Sequence, residues 1–187
     1  MRMFLRKSTS TRDPLPVAMS GVRMGERLLQ VGLADARVMT MLASKPGISG
    51  RAALIARDDR EATRAQSAAA GAGILIEVHV ARDRFPFDDG SFDVAIVHGT
   101  GALSTLADED RATMFRECFR LLRTGGRVLV FEAGTRGGLA ALLSTQRGRA
   151  SDPNATMAAL KRGGFHSVRV LADREGYRFI EGLRTKI

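Results

Sequence analysis

The stretch that most constrains this fold is Glu26–Ala36. A short apolar run, Leu28–Val31, stops at Gly32, and a helical pattern opens within a few residues at Asp35. A strand, a tight turn and a helix in that order set backbone N–H groups and a helix N-terminus at the carboxyl end of a buried strand. Open α/β sheets bind nucleotide-like ligands at such points. The turn carries one glycine, where dinucleotide-binding turns carry two or three.

Further along, the pattern repeats. Asp35 suits an N-cap, and Val38, Met41 and Leu42 form an apolar helical stripe that Lys45-Pro46-Gly47 stops. Ala52–Ala56 reads as a second, fully apolar strand. Asp58 or Asp59 starts an alanine-rich helix to about Ala70, with Gly71 and Gly73 expected to close it. Between Ile74 and Val80 apolar and polar residues alternate, which suits an edge strand. Phe92–Val97 is continuously apolar, as a central parallel strand should be.

Asp108–Asp110 open a helix whose buried stripe is Phe115, Cys118, Phe119 and Leu122. Gly125-Gly126 is expected to end it, and Val128–Phe131 to form the fifth strand. The irregular stretch Gly134–Asp152 reads as a mobile cover or a short helix. Pro153 opens a helix to about Arg162. Val168–Leu171 and Tyr177–Ile180 pair as a hairpin through Asp173-Arg174-Glu175-Gly176. The sum is a Rossmann-like three-layer α/β sandwich: a mostly parallel seven-stranded sheet with an antiparallel C-terminal strand and helices on both faces.

The 187 residues suffice for one domain, residues 14–187, behind a basic arm, residues 1–13, that carries Arg2, Arg6, Lys7 and Arg12. Cys118 is the only cysteine, which excludes an internal disulfide and points to the cytoplasm. No apolar run approaches the ~20 residues of a membrane span. The net charge of +9 fits a solubilising surface, or an arm that touches an acidic partner, RNA or a membrane surface. The cations are scattered and tryptophan is absent, which argues against base-stacking platforms. No metal-ligand spacing is present.

Three stretches carry a family likeness: Met24–Gly32, Phe85–Val94 (Phe-Pro-Phe-Asp-Asp-Gly-Ser-Phe-Asp-Val) and Glu117–Arg127 (Glu-Cys-Phe-Arg-Leu-Leu-Arg-Thr-Gly-Gly-Arg). With them the chain, over about residues 22–186, resembles the class I S-adenosylmethionine-dependent methyltransferases, especially the ubiquinone and menaquinone C-methyltransferases. The resemblance implies S-adenosylmethionine as cofactor. It places that cofactor against Gly32, Leu33, Ala34 and Asp35 of the first turn, Arg57 and Asp58 after the second strand, Ala81, Arg82 and Asp83 after the third, and His98 and Gly99 after the fourth.

The chain departs from the family where the cofactor sits. Gln30 stands in the usual acidic place, and Ala34 and Ala36 stand where the turn has further glycines. Arg57 takes the place of the ribose-binding acid unless Asp58 fills it, and Ala81 that of the adenine-facing acid, with Asp83 two places on. Losing one charge-assisted hydrogen bond costs about 1.5–3 kcal/mol, so two losses move micromolar binding toward millimolar.

His98 is the catalytic candidate, a general base near neutral pH on the ligand side of the sheet or else a loop histidine satisfied by backbone. Glu132 is placed to orient a substrate or pair with Arg136. Cys118 lies in an apolar stripe and reads as packing. Two functions follow. One is methyl transfer from S-adenosylmethionine to a small, apolar acceptor, bounded by His98, Gly99, Thr100 and residues 134–150. The other is a degenerate relative with weak or no cofactor binding, serving as a binding or assembly module.

Overall fold

The computed structural model describes residues 13–100, 106–134 and 152–186. In chain order the elements are α1 (Leu15–Met19), β1 (Arg27–Val31), α2 (Ala36–Ser44), β2 (Arg51–Ala56), α3 (Asp59–Ala72), β3 (Glu77–Val80), β4 (Phe92–His98), α4 (Asp108–Leu121), β5 (Leu122–Ala133), α5 (Pro153–Arg162), β6 (His166–Arg174) and β7 (Tyr177–Leu183). They build a seven-stranded sheet in the order β3-β2-β1-β4-β5-β7-β6. From β3 to β5 neighbouring strands are parallel, and β7 runs antiparallel to both β5 and β6.

Strand alternation sorts the core onto two faces. Leu29, Val31, Ile55, Ala95, Val97, Val128 and Ile180 pack against Phe115, Cys118 and Leu121 of α4 and Ala159 and Leu160 of α5. On the opposite face Leu28, Val94, Ile96, Leu129 and Phe179 meet Val17 of α1 and Val38 and Leu42 of α2. There too Leu54 and Ala56 meet Met39 of α2 and Ala62 and Ala65 of α3. These are the three expected layers. Burial holds Cys118 inert, its thiol pushed up to about 12.

From β1 the chain winds outward to β2 and β3, then crosses back to β4 on the other side of β1. That reversal opens a crevice at the carboxyl ends of β1 and β4.

Four local expectations change. The edge strand is only Glu77–Val80, because Ile74 closes a helix-end bond to Ala69 O instead of joining the sheet. Gly71 stays inside α3, and Gly73 alone, at φ 67°, caps the helix. Gly125-Gly126 does not end α4. Its last residue is Leu121, and β5 starts at once at Leu122, slipping register between Phe92↔Leu122 and Val94↔Arg127, with Gly125 at φ 81° in the slip. His98 is the last residue of β4, not a loop residue. In the C-terminal hairpin Glu175 and Gly176, at φ 54° and 76°, form the two-residue turn.

Residues 1–12 of the expected basic arm and most of 134–152 lie outside the described residues. Asp13, the arm's last residue, is ion-paired to Lys45 at 2.6 Å. Among the described residues no helix is long and apolar enough to cross a membrane.

Candidate functional site

The turn from Gly32 to Asp35 runs between two hollows. The first encloses about 420 Å³ at the ends of β1, β2 and β3, within the roughly 300–1,000 Å³ of small-molecule pockets. Of the residues expected at a cofactor, Gly32, Arg57, Asp58, Ala81, Arg82 and Asp83 line it. Val31, Ile55, Ala56 and Phe85, with Leu106, Asp110, Thr113 and Met114 from α4 and its approach, complete its wall. The second hollow, about 390 Å³, is lined by Ala34, Asp35, Val38, His98 and Thr100, and by Pro16, Phe131, Ala133, Glu175, Gly176 and Tyr177. Leu33, buried in the α2–α3 core, lines neither hollow, and Gly99 is tied through its N–H to Phe131 O at 2.7 Å.

Gly32 has φ 76°, a backbone that any side chain would strain, and its N–H donates to Ile55 O at 2.8 Å. Asp35 caps α2, its Oδ1 accepting from Arg37 N at 2.7 Å and Val38 N at 3.1 Å. Asp58 caps α3, with Oδ1 accepting from Glu61 N at 2.8 Å. Its other oxygen makes no bond among the described residues, and the side chain is exposed on the rim.

Glu61 was not among the residues expected at the site. It is 4% exposed, and its carboxylate accepts from Leu33 N at 2.6 Å, Arg57 N at 2.7 Å and Arg57 Nε at 3.1 Å. One side chain thus joins the turn after β1 to the end of β2. The Asp58-x-x-Glu61 spacing was the available signal, a capping box whose Glu usually bonds the cap's own N–H. Here it reaches one residue further back.

Gln30 and His98 make a second buried polar group. Gln30 is fully buried. Its Nε2 donates to Met39 O at 3.1 Å, leaving Oε1 to accept from His98 Nε2 at 2.9 Å. That bond puts the ring proton on Nε2 and leaves Nδ1 as the acceptor. Burial pushes the His98 pKa down to about 4 against a smaller upward pull from Asp35. At neutral pH it is an uncharged ring, edge-on to Phe131 at 5.8 Å, and a weaker base than an exposed imidazole. Glu132 is also buried and accepts from the Thr156 hydroxyl. Its expected partner Arg136 lies outside the described residues.

Two of the stretches that carry the family likeness meet behind the first hollow. Glu117 Oε2 accepts from Phe85 N at 2.9 Å. Arg120 donates to Phe85 O at 3.0 Å, Phe87 O at 2.9 Å and Asp89 at 2.6 Å. The Arg120 bond, outweighing burial, holds the Glu117 carboxyl below its ordinary range. The pair clamps the loop that delivers Phe85 to the pocket wall, which accounts for the joint presence of the two motifs.

A family model described as a methyltransferase domain matches residues 28–126, more than half of the 187-residue chain. The ubiquinone/menaquinone biosynthesis C-methyltransferase UbiE of Idiomarina loihiensis is 28% identical over 116 residues, covering 60% of this chain and 45% of the relative. The chain therefore spans less than half the length of the curated relatives it matches. Among solved structures, a SAM dependent methyltransferase from Aquifex aeolicus superposes with TM-score 0.73 at 15% identity, covering 90% of this chain and 87% of the other. PigF with SAH gives 0.64 at 17% identity, covering 84% and 50%.

Proposed function

The chain belongs to the methyltransferase-domain family of the class I, S-adenosylmethionine-dependent kind, and from that premise we propose that it transfers a methyl group from S-adenosylmethionine to a small acceptor. The observation that carries this reading is the first hollow, which lies at the carboxyl ends of the parallel strands β1, β2 and β3 and combines the Asp58 carboxylate with an apolar wall. The donor set fits an adenosyl ligand. Asp58 has an oxygen for ribose hydroxyls, Asp83 offers an acceptor near an adenine amino group, and Val31, Ile55, Phe85 and Met114 are apolar surfaces for the base. When bound, S-adenosylmethionine supplies a methyl group on a positively charged sulfur.

The acceptor would sit in the second hollow. Phe131 and Tyr177 give it apolar walls, and the neutral His98 ring presents Nδ1 to a hydroxyl or N–H of the acceptor. In this reading His98 holds a proton-bearing group in place, with Gln30 fixing the ring's tautomer.

Calorimetry with S-adenosylhomocysteine tests the proposal on wild type and Asp58→Asn. The substitution keeps the helix cap, because Asn caps as well as Asp. Removing the carboxylate should cost at least about tenfold in affinity with the thermal midpoint unchanged. Equal affinity in the two proteins would remove Asp58 from the site. Neither heat nor a thermal shift with millimolar ligand would leave the module that binds no cofactor.

A further inference from the structure

We propose that the acceptor carries a cationic amine, which the Asp35 and Glu175 carboxylates hold at the second hollow. The inference rests on the acceptor reading above and names the chemical class of that guest. Among the described residues that line the hollow, Asp35 and Glu175 are the two with charged side chains. Asp35 commits Oδ1 to the N–H groups of Arg37 and Val38, and its other oxygen makes no bond among the described residues. Glu175 makes no hydrogen bond or ion pair among them. His98, 3% exposed, has its Nε2 engaged by Gln30, so the atom left for the hollow is the acceptor Nδ1.

The hairpin sets Glu175 in place. Its backbone has φ 54°, uncommon for a residue with a side chain, in the two-residue turn between β6 and β7. That turn is tied to the end of β5, where Gly134 N–H donates to Gly176 O at 2.9 Å. Neighbouring cations are engaged elsewhere. Arg178 is paired with Asp173 at 2.8 Å, and Arg174 donates to Met19 Sδ at 3.4 Å. Neither of them lines the hollow. The upward pull of Asp35 on the His98 pKa registers the negative field inside it. Phe131 and Tyr177 add aromatic walls, and aromatic faces attract cations. An anionic acceptor meets two like charges there and no opposite one among the described lining residues.

Tyr177 is the chain's only tyrosine and tryptophan is absent, so tyrosine fluorescence reports on this hollow. The probes are 2-phenylethylamine, 2-phenylethanol and 3-phenylpropanoate, which share a phenyl ring and two methylenes and end in an ammonium, a hydroxyl or a carboxylate. They are titrated into the whole chain, alone and with saturating S-adenosylhomocysteine. The amine should bind at least about tenfold tighter than the carboxylate, with the alcohol between them. In Glu175→Gln that ratio should fall by roughly fivefold, the size of an exposed ion pair, with alcohol binding unchanged. Asp35→Asn, which keeps the helix cap, should lower it by a similar factor. A carboxylate that binds as well as the amine overturns the proposal and leaves the acceptor reading standing. So does a ratio that neither substitution moves. An amine displaced by S-adenosylhomocysteine overturns it too, because the two acids then serve the cofactor's own ammonium. If no probe changes the Tyr177 fluorescence, the proposal and the acceptor reading fall together.

Discussion

Glu61 and the Gln30–His98 pair are buried on either side of one turn, and they stay buried by opposite means. Glu61 keeps its place with two backbone N–H donors and a guanidinium, so its carboxylate can be charged with almost no water. Among the described residues His98 has one amide partner and no ion pair, only a smaller pull from Asp35, and burial leaves it neutral. The saturated side adjoins the hollow we assign to the adenosyl group, and the neutral side faces the one we assign to the acceptor. Where N–H donors are plentiful this fold can hold a charge. Where they are scarce it holds a tautomer.

The largest effect expected of this contrast comes from Glu61→Ala. It strips the acceptor from buried N–H groups and frees a guanidinium, so urea unfolding should show a loss of about 3–5 kcal/mol. A loss below about 1 kcal/mol, the scale of an exposed pair, would mean that water takes over those donors and that the contrast is false.

Next comes acid. The unfolded His98 ring takes a proton near pH 6.5 and the folded one only near 4. Stability from keeping the ring neutral is therefore complete above about pH 6.5. It falls away toward pH 4, by roughly 3 kcal/mol in all. Gln30→Glu sets a carboxylate against the ring, should raise its pKa, and should flatten that loss. Ring chemical shifts followed through an NMR titration would read both proteins, and an unmoved His98 pKa in the variant would break the argument.

Smallest is Gly32→Ala, at φ 76°. Left-handed backbone costs a non-glycine residue about 1–2 kcal/mol, visible as a lowered unfolding midpoint, with both polar centres intact.

Much of this layout was legible in the chain. Continuous apolar runs marked β2 and β4, and the short run Leu28–Val31 with Gln30 inside it marked β1, because parallel strands are covered on both faces. Asp35, Pro153 and the alternation through Val80 marked two helix starts and the sheet edge. The start of β5 escaped because Gly125-Gly126 has the local look of a helix stop, whereas the pairing of Leu122 with Phe92 depends on a distant strand. Glu61 and the bond between Gln30 and His98 escaped for a related reason. Glu61 looked like an ordinary first-turn acid, yet its work is done on Leu33, 28 positions away in sequence, and Gln30 acts on His98, 68 positions away. The turn's single glycine drew attention to missing cofactor contacts. The side chain that holds the turn's Leu33 N–H lies two helices on, in α3.

β7 follows β6 along the chain yet lies between β5 and β6 in the sheet. During synthesis on the ribosome, the flank of β5 therefore stays uncovered after β6 has emerged, and β6 has nothing to pair with until β7 arrives. An unzipped β-edge is a standing invitation to intermolecular association. Newly made copies of this protein should lean on chaperones at that late moment, and a ribosome stalled after β6 should hold an aggregation-prone nascent chain.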